Sequence, residues 1–386
     1  MTYDNDLTQT LISRRTSFKL AGAMAGAAVA LPALHGSAQD ATPAATPMAT
    51  PEPASAPPPG GVEVDPQMQE VLDALASFNA PPLASVSPQV GRNLPSFANA
   101  VQVVLTDQGL PPLEPVGGIE HVLIPTLDGE DIVARVYQPA GAAPDELLPV
   151  LVYFHGGGFV IANLDTYDAS CRALANAAGC IVASVAYRQA PEFPFPTAVD
   201  DAYAATQFFL GGTGAIGGDP ERVAVAGESA GGNLATVVCL RARDEGGLMP
   251  IHQLLVYPLV TFAPTGESLE SIEQFANAAP LNAAALDWFG GFYLSTPEDA
   301  ANPYASPLDA EDLSGIPPAT IILAEIDPLQ SQGRVYAEAL EAAGIEVSMH
   351  FYEGVTHEFY GMTAVVDKAA EAVEVSASEL MAAFGM

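Results

Sequence analysis

From residue 119 to the end of the chain, apart from a break between Val260 and Pro307 that holds a helix-like insertion at 282–294, apolar runs of strand length alternate with segments whose apolar residues recur at helical spacing. This alternation constrains the fold more than any other feature, because successive strand–helix–strand units close into a mostly parallel sheet through right-handed crossovers. Eight strands are predicted, at 119–124, 132–137, 149–154, 180–186, 223–226, 251–257, 320–324 and 346–352. The turn signal Leu127-Asp128-Gly129 makes the first two an antiparallel pair. Residues 149–154 are apolar throughout, as suits a central strand covered on both faces. Helices are expected at about 166–178, 197–210, 233–243, 334–343 and 364–384. In a sheet of this kind ligands bind at the carboxyl ends of the strands.

One of those ends carries Gly227-Glu228-Ser229-Ala230-Gly231-Gly232, between an apolar strand and a helix. A strand that turns sharply into a helix, with glycine on both sides of a serine, has the layout of a nucleophile elbow, which leaves the hydroxyl standing clear of the sheet. A serine hydroxyl needs a base within hydrogen-bond reach, and the base needs an orienting carboxylate. Asp327 follows the seventh predicted strand and His357 the eighth. The order Ser229, Asp327, His357 is the one expected of an α/β-hydrolase. Directly after the third strand stand His155-Gly156-Gly157-Gly158. Backbone N–H groups of Gly156, Gly157 and Ala230 are the expected donors to the oxyanion of acyl transfer.

The N-terminal part has a different character. Ser13-Arg14-Arg15-Thr16-Ser17-Phe18-Lys19, an apolar run at 20–34 and the small residues Gly36-Ser37-Ala38 read as an export signal over 1–38, with paired arginines similar to a Tat signal. The apolar run falls short of the roughly 20 residues that span a bilayer, so cleavage rather than anchoring is expected. Residues 39–61, rich in Pro, Ala and Thr, read as a linker. Two helical patterns follow, at 65–80 and about 96–109, ahead of the sheet and outside it.

The charge excludes some partners. Lys and Arg total 12 against 46 Asp and Glu, a net −34 that repels phosphate backbones and anionic membranes, so nucleic acid is not an expected partner. Such a surface suits either plain solubility or a salt-rich medium. Cys171, Cys180 and Cys239 form neither a disulfide framework nor a zinc pattern and are expected as small buried hydrophobes. His35, His121, His252 and His350 offer no metal spacing. No cofactor or metal is required. Glu192 reads as a structural anchor, whereas Glu325 and Glu358 flank the acid and the base and either tune the imidazole or form surface contacts.

Taken together, His155-Gly156-Gly157-Gly158, the segment from Tyr187-Arg188-Gln189-Ala190 to Pro196, Gly227 to Gly232, Asp327-Pro328-Leu329 and Gly354-Val355-Thr356-His357-Glu358-Phe359 resemble the bacterial hormone-sensitive-lipase-like, family IV esterases. The resemblance runs from about residue 115 to the end and implies an α/β-hydrolase fold, a mostly parallel eight-stranded sheet flanked by helices, with a helical cap. It implies a cap built from 62–118 and an insertion at 260–305, on a core formed by 119–259 and 306–386. Ser229 matches the family's nucleophile, Asp327 its acid and His357 its base. Two departures stand out: Glu228 where Asp or Thr is usual, and Gln330-Ser331 where Arg and an acidic residue are usual. The elbow and glycine run are also similar to type-B carboxylesterases, which are longer and use a glutamate as the acid. The expected reaction is hydrolysis of short- to medium-chain carboxylic esters through an acyl-enzyme. Amide or polyester hydrolysis, or a non-catalytic binding role on the same fold, are the alternatives.

Overall fold

The computed structural model describes residues 61–386 apart from 112, 144 and 145. The expected export signal, and the expected linker but for its last residue, lie outside the described residues. Eight strands form one sheet: β1 Gly118–Pro125, β2 Asp131–Gln138, β3 Leu148–Phe154, β4 Ile181–Ala186, β5 Gly218–Glu228, β6 Gln253–Val256, β7 Ala319–Ile326 and β8 Val347–Thr356. Their order is β1-β2-β4-β3-β5-β6-β7-β8, and only the β1–β2 and β2–β4 pairs are antiparallel. This is the architecture of an α/β-hydrolase.

The sheet has a core on each face, and β3 shows why its sequence is apolar throughout. Successive side chains of a strand point to opposite faces. Val150, Val152 and Phe154 enter one cluster with helices Thr197–Gly211 and Ala230–Glu245, while Leu151 and Tyr153 enter the other with helices Asp168–Ala178 and Asp367–Ala383. Crossover helices therefore cover both faces. The remaining crossover, Gln330–Ala342, joins β7 to β8.

Several boundaries differ from the sequence expectation. β5 begins at Gly218, five residues before the apolar run, and the helix after Ser229 begins at Ala230. β7 runs on to Ile326 and β8 to Thr356, although the apolar pattern of β8 fades at Glu353-Gly354. Backbone pairing carries them there: after a register shift past Ala324, Ile326 pairs with Thr356. β6 is shorter than expected at both ends, and at its carboxyl end Tyr257, with φ +35, turns the chain out of the strand.

Before the sheet, Pro66–Ser77 and Phe97–Gln108 are helices that pack on each other. Asp65 caps the first by accepting from the N–H groups of Gln67 and Met68 at 2.9 and 3.3 Å. Met68, Val71, Val104 and Leu105 join the second core, and Asp65 N–H donates to the Gly354 carbonyl at 2.8 Å. After β6 the alternation is broken by helices Glu270–Gln274, Ala283–Tyr293 and Pro297–Ala300. The indole of Trp288, on the second of these, donates to the Val86 carbonyl at 3.0 Å, so the two segments expected as a cap touch each other.

Candidate active site

The elbow is built by two close backbone approaches. A Cβ on Gly227 would stand 2.1 Å from the Gly231 carbonyl oxygen, and one on Gly231 would stand 1.9 Å from that of Phe154. No side chain fits at either position. Between them Ser229 adopts φ +57, ψ −116, a conformation costly for a residue with a side chain and typical of functional turns. Its N–H donates to the Val256 carbonyl at 2.9 Å, and its own carbonyl accepts from Leu259 at 3.2 Å. The strained serine is thus held from β6, and the residue remains 7% exposed.

Asp327 and His357 come together through strand register. Each is the residue directly after its strand, and pairing of Ile326 with Thr356 sets them side by side. His357 Nδ1 lies 2.7 Å from Asp327 Oδ2, and the carboxylate also accepts from Leu329 N–H at 2.8 Å. Both side chains are buried. A carboxylate at Nδ1 keeps the proton there and leaves Nε2 as the acceptor. Burial pulls the His357 pKa down, but the charge and hydrogen bond of Asp327, with the carboxylates of Glu358 and Glu228, raise it above the ordinary value. Ser229 and His357 line the same cavity. No direct hydrogen bond joins them among the described residues, as is common before substrate binds.

The glycine run follows β3 directly. Gly157 and Gly158 have φ +94 and +59, and the Gly157 carbonyl accepts from Val160 and Ile161 N–H at 3.1 and 3.0 Å. Among the described residues no acceptor takes the N–H of Gly157 or of Ala230. Gly157 lines the larger cavity beside Ser229, and Ala230 lines a smaller one beside it. Gly156 sits one residue back, where a Cβ would meet the Tyr167 hydroxyl at 2.3 Å. His155 is buried, stacks on Tyr187 at 4.4 Å between centroids, and has its pKa pushed down to about 4 by burial. It is a neutral structural group.

Glu228 turns out to be the centre of a buried network. It is fully buried and accepts from the hydroxyls of Tyr153 and Tyr257. Burial, together with the charge of Glu358, pushes its pKa up to about 7. Glu358, in the left-handed region at φ +72, accepts from the Tyr167 hydroxyl at 2.7 and 2.8 Å. Burial raises its pKa, against the pull of His357 and Tyr167. The tyrosine partners were not singled out in the sequence; an acidic residue beside a buried serine was the available signal, since a buried carboxylate must find donors.

Arg92 was also missed. Its guanidinium donates to the Val160 carbonyl at 2.8 Å, the Ala190 carbonyl at 2.7 Å and both oxygens of Glu192 at 2.6 and 2.9 Å. Glu192 is accordingly an anchor. Glu325 accepts from Gly354 N–H at 2.7 Å, and His252 and His350 hydrogen-bond to Thr320 and Ser348, both at 2.9 Å. The three cysteines are buried and free. Among the described residues no cluster of three metal-ligating side chains and no helix long and apolar enough to cross a membrane is found.

Two cavities flank Ser229, of about 1430 and 390 Å³. The larger is walled by N-terminal residues such as Leu83, Arg92 and Leu94, by His357, and by Ala285 and Phe289 of the inserted helix. An elbow serine, a carboxylate–imidazole pair and unclaimed N–H groups beside an apolar cavity define a serine hydrolase of the α/β type. The family described as alpha/beta hydrolase fold matches residues 151–361. Esterase LipI of Mycobacterium tuberculosis is 42% identical over 265 residues, 68% of this chain and 82% of that protein. An ethyl acetate hydrolase of Pseudomonas putida is 38% identical over 66% of this chain and 79% of its own length. The solved structure of a hyperthermophilic esterase from Pyrobaculum calidifontis superposes with a TM-score of 0.74 at 37% identity, covering 83% of this chain and 98% of that one. The chain belongs to the hormone-sensitive-lipase-like, family IV branch of the α/β-hydrolases.

Proposed function

We propose that this protein is a serine carboxylesterase acting through an acyl-enzyme. Ser229 Oγ attacks the ester carbonyl, and His357 Nε2 accepts its proton and returns it to the leaving alkoxide. Asp327 holds the imidazole in the required tautomer and stabilises the imidazolium. The N–H groups of Gly156, Gly157 and Ala230 donate to the oxyanion. Water then repeats the sequence on the acyl-enzyme. The observation that carries this reading is the 2.7 Å Asp327–His357 pair at adjacent strand ends, facing the cavity that also holds the strained Ser229.

The reading extends to small-molecule esters with short to medium acyl chains, supported by the largely apolar lining and the esterase relatives. It also includes export, supported by the paired arginines and apolar run before residue 38. Cell fractionation with and without Arg14→Lys and Arg15→Lys tests export. For the chemistry, aryl esters of increasing chain length are assayed with Asp327→Asn, which is expected to lower kcat by about 10⁴-fold. Near-wild-type turnover in that variant overturns the assignment.

A further inference from the structure

The smaller cavity is not simply an extension of the larger one. Gly158, Ser229, Leu281 and Phe289 line both and form the partition between them. The inserted helix Ala283–Tyr293 turns Ala285 toward the larger space and Leu286 and Gly290 toward the smaller. An ester has two halves, and Ser229 stands where they meet.

The two halves have different needs. The leaving alcohol must depart while the acyl group is still bonded to Ser229, and a cavity of about 1430 Å³ gives it a way out. The acyl group stays, and the space of about 390 Å³ suits what is held. The smaller space is walled by apolar side chains including Leu259, Phe262, Leu286 and Leu329, with one buried amide among them, Gln332.

The orientation of that amide is fixed by its partners. The oxygen accepts from the N–H groups of Val260 and Thr261, both at 3.1 Å, and only an oxygen accepts from N–H, so the other arm is NH₂. Gln332 is 1% exposed, and among the described residues its Nε2 has no acceptor. Thr261, the neighbouring polar side chain, is already engaged: its hydroxyl donates to Asp309 at 3.0 Å and accepts from Ala263 N–H at 3.1 Å. Asp287, also on the lining, is exposed to solvent. An NH₂ group on the wall of a cavity with no protein acceptor gains a direct hydrogen bond when a ligand carries an oxygen to it.

We propose that the smaller cavity receives the acyl chain and that the Gln332 amide donates to an oxygen carried on that chain, so that the preferred substrates are esters of hydroxy, alkoxy or keto acids. This inference rests on the esterase reading above. A plain alkanoyl chain fills the same space but leaves the amide unpaired, and a site built around a hydrogen bond discriminates against the analogue that lacks it.

The test uses 4-nitrophenyl esters of pentanoic, 3-hydroxybutanoic, 3-methoxypropanoic and 4-oxopentanoic acids with the full chain. Each kcat/KM is divided by the hydroxide rate constant of the same ester, which removes intrinsic electrophilicity. The best oxygenated ester is expected to exceed pentanoate by about tenfold, the worth of one net hydrogen bond. Gln332→Glu keeps an oxygen for Val260 and Thr261 but removes the donor, and Gln332→Leu removes both; either is expected to bring the ratio to about one. The ratio cancels any general loss of activity. A wild type that treats all four acyl groups alike, or a variant that keeps the preference, overturns the proposal and leaves the esterase reading intact. Failure to hydrolyse any of the four would overturn the esterase reading itself.

Discussion

The phenol ring of Tyr257 packs 4.4 Å, centroid to centroid, from the imidazole of His357, while its hydroxyl donates to Glu228. The residue before the elbow serine is therefore linked, through one side chain, to the imidazole that faces that serine. Glu228 is one of the carboxylates that raise the His357 pKa, behind Asp327 and Glu358.

This linkage sets the pH profile. Protonated His357 cannot accept the Ser229 proton, so kcat/KM falls as the pH drops through its pKa. Because that pKa lies above the ordinary 6.5, the acidic limb lies above 6.5 as well. Glu228, with its own pKa at about 7, is partly ionised over this range; Glu228→Gln removes that charge, which lowers the His357 pKa and moves the limb to lower pH. A profile of kcat/KM in which the limb stays put or moves upward contradicts the electrostatic role given to Glu228.

Arg188 and Asp201 hold the loop that leads from β4 into the next helix. Asp201 is fully buried and accepts from Arg188 through the backbone N–H at 2.9 Å, Nε at 2.9 Å and a terminal nitrogen at 2.6 Å. Arg188→Ala strands that carboxylate, and urea unfolding is expected to show a loss of about 3–5 kcal/mol. Arg188→Lys is expected to restore only a minor part, since an ammonium cannot reproduce the forked geometry. Equal stability of the lysine variant and the wild type speaks against this account.

Arg92 offers a contrast between a carbonyl anchor and an exposed ion pair. Glu192→Ala removes only a partner whose side chain is 44% exposed, and a change below about 1 kcal/mol is expected. Arg92→Ala also takes the donors from the Val160 and Ala190 carbonyls, for an expected loss of about 1–3 kcal/mol and a higher KM, because Arg92 walls the larger cavity. If the two variants melt together, the ion pair rather than the carbonyl contacts dominates.

The sheet was legible because β3 is apolar at every position and β5 carries the apolar run at 223–226, and the chain order of Ser229, Asp327 and His357 was legible because each follows a strand-like segment. Strand ends were less so. In β8 the pattern stops at Tyr352, yet hydrogen bonding to β7 continues to Thr356, so His357 lies next to the strand rather than in a loop beyond it. Tyr153 and Tyr257 read as ordinary strand residues; their role depends on the register that lays β3 and β6 on either side of β5. Arg92 acts across 68 and 98 residues of sequence, a separation that no local pattern encodes. Gln332 was not singled out in the sequence, although it directly follows the departure at Gln330-Ser331; its free amide arm is visible only once the loop after β6 supplies the two N–H groups that orient it.

Whether Ser229 is the nucleophile is tested most directly by intact-mass and peptide mapping after treatment with a 4-nitrophenyl alkylphosphonate. One phosphonyl group per chain on the peptide carrying Ser229, with activity lost in proportion and no adduct in Ser229→Ala, is the predicted result. An adduct on a different residue, or a Ser229→Ala protein that keeps more than about 1% of the esterase turnover, would contradict it, since removal of the nucleophile in such a triad costs about 10⁶-fold.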